Sequence, residues 1–250
     1  MKLQLPLSAL AFATLLSGCQ NMSPDAMLQT GMMAMQAATL SDAEVKSQAD
    51  QACMQMDAEA PIADADSEYT QRLNKIAANL GSQIHGTPVN YKVYLTDEVN
   101  AWAMANGCVR VYSGLMDLMT DNEVEGVLGH EMGHVALGHT KKAMQTAHAT
   151  SVARNAAAYS GNSTAAALSS SQIGELGEAL VNAQFSQSQE SDADDFSFDL
   201  LTQRGVKREG LVTAFEKLAK LGGGESSMFD SHPASQERAE HIRARIAANK

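Results

Sequence analysis

Positive charge is scarce in this chain of 250 residues: 18 lysines and arginines stand against 29 aspartates and glutamates, for a formal charge of −11. Such a surface repels polyphosphate, which excludes nucleic acid as a partner. Internal repeats are lacking, and beyond the N-terminus no apolar run reaches the roughly 20 residues that a spanning helix needs. A repeat array and a polytopic membrane protein are thereby excluded. An even cysteine count is lacking too, since there are three; in an exported protein that calls for a free thiol, a modified one or a bridge to another chain. What is present suits a globular domain, with 44% hydrophobic, 19% charged and 5% aromatic residues, and not a disordered or collagenous chain. The length buries a core unaided, so a metal here would serve chemistry rather than folding.

The N-terminus resolves the cysteine count. Met1-Lys2 is followed by an apolar run from Leu3 to Leu16 and by Leu16-Ser17-Gly18-Cys19. A basic start, a short hydrophobic centre and a small-residue cleavage site make a signal sequence. Its ending resembles a bacterial lipobox, in which the cysteine takes a diacylglycerol and becomes the first residue. Residues 1–18 are therefore expected to be removed, 19–40 to form the lipidated N-terminus and linker, and 41–250 the functional domain. Gln20, where an aspartate would retain the protein elsewhere, directs the expectation to the outer membrane, facing the periplasm. Several acyl chains would hold the chain there stably. With Cys19 lipidated, Cys53 and Cys108 remain as an even pair in an oxidising compartment, and a disulfide between them is expected.

Along that domain, Tyr69, Leu73, Ile76, Ala77 and Leu80 keep the period of an amphipathic helix that stops at Gly81. Val89 to Leu95 and Cys108 to Tyr112 alternate as strands, the second after a tight Asn106-Gly107 turn. Thr120 and Glu123 have capping-box spacing, so a helix is expected from about Asp121 to Lys141-Lys142. Residues 145–172 read as weak helix broken by a loop that would suit a lid. Helical pattern returns over about 174–204, 208–221 and from Pro233 onward. The fold class is α+β, mostly helical.

Within the capped helix stands His130-Glu131-Met132-Gly133-His134. Positions i and i+4 share one helical face, so both imidazoles can bind one zinc ion, and Glu131 between them can take a proton from the attacking water. A catalytic zinc needs a third protein ligand. On a continuous helix His139 falls about 140° away from His134, which rules it out and sends the search downstream. There Glu190-Ser191-Asp192-Ala193-Asp194 sets carboxylates one turn apart: Glu190 can ligate while Asp194 fixes the imidazole of a ligand histidine. Glu175 and Glu178 are rival ligands, and a merely solvated acidic face is the bland alternative.

These residues, together with Asn100 to Met116 and Ser231-His232-Pro233 with Arg238, resemble the HtpX-like zinc metallopeptidases of the gluzincin clan, which also holds the CAAX prenyl endopeptidases. The likeness spans essentially the whole chain and is greatest to a periplasmic lipoprotein branch. It implies a gluzincin-type domain with one zinc held by His130, His134 and Glu190, Asp194 behind them, and an active-site cleft bordered by an edge strand. That strand would be Cys108, Val109, Arg110, Val111 and Tyr112, pairing with an extended substrate. Many relatives carry Pro-Gly-Gly before it, where this chain has Met104-Ala105-Asn106-Gly107. His232 would lie near the metal as an oxyanion donor, as a resting fourth ligand or merely as a helix cap, with Arg238 anchoring its loop. The expected activity is endoproteolysis of unfolded or misassembled envelope proteins, alongside other envelope quality-control proteins. The rival is a zinc-binding chaperone or assembly factor with little proteolysis.

Overall fold

The computed structural model describes residues 28, 31, 32, 35, 39–158, 170–221, 231–232 and 236–248. The signal segment, Cys19 and most of the linker lie outside these, as do residues 159–169 and with them the question of a lid. Among the described residues no helix is long and apolar enough to cross a membrane.

Helix α1 (Asp42–Glu59) opens on a Ser41–Glu44 capping box and α2 (Glu68–Leu80) on Ser67, ending at Gly81 as the periodicity predicts. A hairpin of β1 (Gln83–Ile84) and β2 (Thr87–Pro88) precedes β3 (Asn90–Tyr94), β4 (Ala101–Ala103) and β5 (Cys108–Tyr112). Gly107 makes the β4–β5 turn at φ +84, where a Cβ would meet the Pro88 carbonyl, so only glycine is unstrained there. Then come α3 (Ser113–Leu118), α4 (Asp121–Ala136), α5 (His139–Ala158), α6 (Ser170–Val181), α7 (Gln187–Gln203), α8 (Glu209–Leu221) and α9 (Gln236–Ala248).

Three expectations need correction. The sheet order is β3-β5-β4, with β3 parallel and β4 antiparallel to β5. Cys108 to Tyr112 is therefore the central strand and not an edge, and all five of its residues are buried. Alternation says nothing of how many strands pair beside it; the short, alanine-flanked β4, which carries little strand signal, is one edge of this sheet and β3 the other. The second correction concerns α4, which does not run on to Lys142. It caps at Leu137, and Gly138 at φ +75 turns the chain before α5 starts afresh at His139. Likewise the helix expected over 174–204 is two helices, with a break at 182–186.

Val109 and Val111 of β5 face a core shared with α2 and α4, while Cys108 and Tyr112 face a second core with α1, α5 and α6. The expected Cys53–Cys108 disulfide is present, its Cα atoms 6.5 Å apart, and ties α1 to the central strand. Beside it Arg110, 1% exposed, meets Asp57 with two hydrogen bonds of 2.8 Å. Burial alone would push the Asp57 carboxyl up, but hydrogen bonds from Arg110, Lys92 and Tyr94 outweigh it and hold it at about 2. Losing one partner of such a pair strands a buried charge, so Asp57→Asn is expected to destabilise the fold by about 3 kcal/mol at neutral pH. Because the folded pKa lies below the unfolded value of about 3.9, the stabilisation is full above pH ~4 and fades as the pH falls towards 2. Denaturant midpoints of wild type and variant at pH 6 and pH 2.5 should therefore converge at the lower pH.

Candidate metal centre

Helix α4 carries His130, Glu131 and His134, all buried along its inner face. It lies tightly on α7 because two glycines leave room: a Cβ on Gly129 would stand 2.6 Å from Ser197 Oγ, and one on Gly133 3.0 Å from the Ala193 carbonyl. That approach sets Glu190, in the first turn of α7, beside both histidines. A Ser186–Gln189 capping box starts α7 immediately before it. His232 enters from the segment preceding α9.

The donor atoms converge. His130 Nε2 lies 3.1 Å from His134 Nε2 and 3.2 Å from His232 Nδ1. Glu190 Oε1 is 3.3 Å from His134 Nε2 and 3.0 Å from His232 Nδ1. Four nitrogen and oxygen donors on a tetrahedral zinc, at about 2.0–2.1 Å, would be separated by ~3.3 Å, so these spacings fit one ion. The protonation pattern fits as well. Burial drives the His134 pKa well below its ordinary value, so its imidazole is neutral, as a metal ligand must be. Burial opposes ionisation of Glu190, yet hydrogen bonds from His134 and His232 prevail and keep it a carboxylate.

Behind these donors stands a second layer. Asp194 Oδ1 lies 2.8 Å from His130 Nδ1, which directs the Nε2 lone pair inward. Arg238 from α9 grips Asp194 with contacts of 2.6 and 2.8 Å and reaches Glu190 Oε2 at 2.8 Å. Its guanidinium rests 4.1 Å over the Phe215 ring. His232 is flanked by Glu131 and Glu190, whose charges outweigh its burial and raise its pKa. Glu131, 3% exposed, keeps Oε1 without a hydrogen-bond partner, and burial raises its pKa. A carboxylate so poised suits proton exchange better than ligation.

The structure thus gathers His130, Glu131, His134, Glu190, Asp194, His232 and Arg238, as the motifs suggest. It does not bring in Glu175 or Glu178, which are exposed on α6. Two neighbours were not legible. His139 is no member of the donor set, but the Gly138 turn brings its Nδ1 to 3.1 Å from His134 Nδ1, where a continuous helix would have carried it away. Phe185, just ahead of the Ser186 cap, stacks on His134 with centroids 4.0 Å apart; the Ser-Gln-Ser-Gln capping spacing is the signal that could have revealed that break.

Paired histidines on one helix, a glutamate from a second and a buried glutamate between them define a zinc peptidase of the gluzincin type. Comparison agrees: residues 64–246 match Peptidase family M48, and the chain belongs to that family. It is 61% identical to Metalloprotease LoiP of Escherichia coli (strain K12) across all of this chain and 99% of that protein. To Metalloprotease YcaL of the same organism it is 57% identical, covering 95% of each. It is also 29% identical to the Beta-barrel assembly-enhancing protease of Yersinia pestis over 96% of this chain, which spans half of that longer protein. The protein is a zinc metalloendopeptidase, and polypeptides are its substrates.

Asp194→Asn keeps the side-chain volume but weakens the hold on His130 and Arg238. Zinc affinity, read by competition with a chromophoric chelator, should fall about 10- to 100-fold.

Proposed function

We propose that this peptidase hydrolyses extended segments of unfolded or misassembled proteins in the bacterial envelope, tethered by lipid on Cys19 to the periplasmic face of the outer membrane. The observation that carries the catalytic reading is the convergence of His130, His134, Glu190 and His232 beside the buried carboxylate of Glu131. His130, His134 and Glu190 hold the ion, and Asp194 with Arg238 orients them. A bound zinc polarises the scissile carbonyl and acidifies water. Glu131 takes the proton of the attacking water and passes it to the leaving amine. His232, with Nδ1 3.2 Å from His130 Nε2 and 3.0 Å from Glu190 Oε1, would stand within reach of the ion's fourth position or of the oxyanion.

The extended backbone is assigned to the edge of β4, which lies against α4, rather than to β5, which is paired on both sides. Loose side-chain selection follows from backbone pairing, which suits clearance of damaged proteins. The lipobox and the name of the assembly-enhancing relative support the envelope setting. A zinc-binding chaperone needs no carboxylate like Glu131, so the hydrolytic reading is preferred.

Glu131→Gln removes the proton acceptor while sparing the ligands. Cleavage of a reduced, unfolded protein should fall by about 100-fold or more at unchanged zinc content by atomic absorption. A variant retaining both zinc and turnover would refute this mechanism. For the anchor, Cys19→Ser should move the protein from the membrane pellet to the soluble fraction of lysed cells; continued sedimentation with outer membranes would overturn the tether.

A further inference from the structure

A histidine ring carries two nitrogens, and in His134 it is Nε2 that faces the other donors, 3.1 Å from His130 Nε2 and 3.3 Å from Glu190 Oε1. A neutral imidazole holds one proton. Once Nε2 offers its lone pair to a metal, that proton stands on Nδ1. The ring is 1% exposed, and a buried N–H without an acceptor is costly. The group it meets is His139: the two Nδ1 atoms lie 3.1 Å apart, with ring centroids separated by 5.1 Å at an interplanar angle of 64°. One nitrogen of such a pair must donate and the other accept. With the proton on His134 Nδ1, His139 Nδ1 is the acceptor and its own proton lies on Nε2. His139 is then no ligand, because its Nδ1 meets the nitrogen that does not face the cluster.

The second neighbour of this ring cannot do the same work. Phe185 stacks on His134 with centroids 4.0 Å apart at an interplanar angle of 30°, which fixes the plane of the imidazole. Turning the ring by half a revolution about Cβ–Cγ keeps that plane, yet it replaces Nδ1 by a carbon and carries Nε2 away from the other donors. A stacked phenyl ring accepts either orientation, whereas a hydrogen-bond acceptor at Nδ1 accepts one. His130 is oriented differently, by the Asp194 carboxylate 2.8 Å from its Nδ1. Another carboxylate behind His134 would add negative charge to a site that already buries Glu131, Glu190 and Asp194. A neutral imidazole accepts the hydrogen bond without that charge.

Resting on the assignment of His134 as a zinc ligand, we propose that His139 is its positioning residue: by accepting the Nδ1–H hydrogen bond it selects the ring orientation and tautomer in which Nε2 faces the metal. The turn at Gly138, with φ +75, thereby acquires a chemical use, since it brings His139 back to the ring that precedes it.

Substitution at position 139 separates acceptor from bulk. Asparagine places Oδ1 where histidine carries Nδ1, while phenylalanine keeps a ring and offers no acceptor. His139 is half-buried and lines a cavity of about 460 Å³ between α5 and α6, so both side chains find room without displacing a packed core. Zinc affinity, measured by competition with a chromophoric chelator, should fall about 10- to 100-fold in His139→Phe and stay near the wild-type value in His139→Asn. The melting temperatures of the metal-free proteins should be equal. Equal affinity in wild type and His139→Phe would overturn the proposal, as would a loss in His139→Asn as large as in His139→Phe. Long-range nitrogen–proton correlation spectra of the seven histidines, recorded on the detergent-solubilised, zinc-loaded protein, read the tautomers directly. His134 should be protonated on Nδ1 and His139 on Nε2. Should a variant fail to fold, this spectrum decides alone, and a proton on His139 Nδ1 in the wild type refutes the role. His134→Phe tests the premise separately: it should abolish stoichiometric zinc binding, and full zinc retention would overturn His134 as a ligand. Zinc lost from His134→Phe but held normally by His139→Phe would overturn the positioning role alone.

Discussion

The structure turns on the close approach of α4 to α7. A zinc site of this kind needs donors from two helices within one coordination sphere, and helices whose contact faces carry ordinary side chains stand 8–10 Å apart. Gly129 and Gly133 remove the Cβ atoms that would otherwise meet Ser197 and Ala193. Glycine in a helix interior costs about 1 kcal/mol relative to alanine, a cost accepted here at two positions of one helix. What it gives is geometry: Glu190 reaches both histidines, and Asp194, one turn on, reaches the back of His130.

Bringing that many carboxylates together creates a second constraint. Glu131, Glu190 and Asp194 are all buried, and without cations they would repel one another and tend to protonate. Arg238 supplies one permanent charge, shared between Asp194 and Glu190, and a bound zinc supplies the rest. The Phe215 ring beneath the guanidinium adds a favourable cation–π contact. This links α9 and α8 to the site, which is why the C-terminal helix is part of the catalytic unit. The Arg110–Asp57 pair serves the other side of the sheet, where, with the disulfide, it fastens α1 to the central strand.

How much of this was legible depended on whether the signal was local. The His130 to His134 motif, the Thr120–Glu123 cap and the spacing of Glu190 and Asp194 lie within single helices, where a period of 3.6 makes spacing equivalent to geometry. Cys53 and Cys108 followed from counting. The strand order did not, because alternation reports burial and cannot tell whether a neighbour lies on one side or two. Cys108 to Tyr112 reads strongly because its residues alternate, and Ala101 to Ala103 reads weakly because three residues show hardly any alternation. The Gly138 break was written in the chain, but favourable basic residues at Lys141 and Lys142 masked it. Phe185 and the α5–α6 cavity depend on tertiary contacts that no window of sequence contains.

The burial of the reacting groups has a further consequence. Glu131, His130, His134, Glu190 and His232 are each 1–6% exposed, so the chemistry sits in a nearly dry interior. That burial raises the Glu131 pKa, and it strengthens the electrostatic contacts around the site. A water-filled, open cleft would leave Glu131 an ordinary carboxylate and a weak base. The proton chemistry of Glu131 is therefore a result of one physical feature, the burial of the reacting groups at the α4–α7 contact.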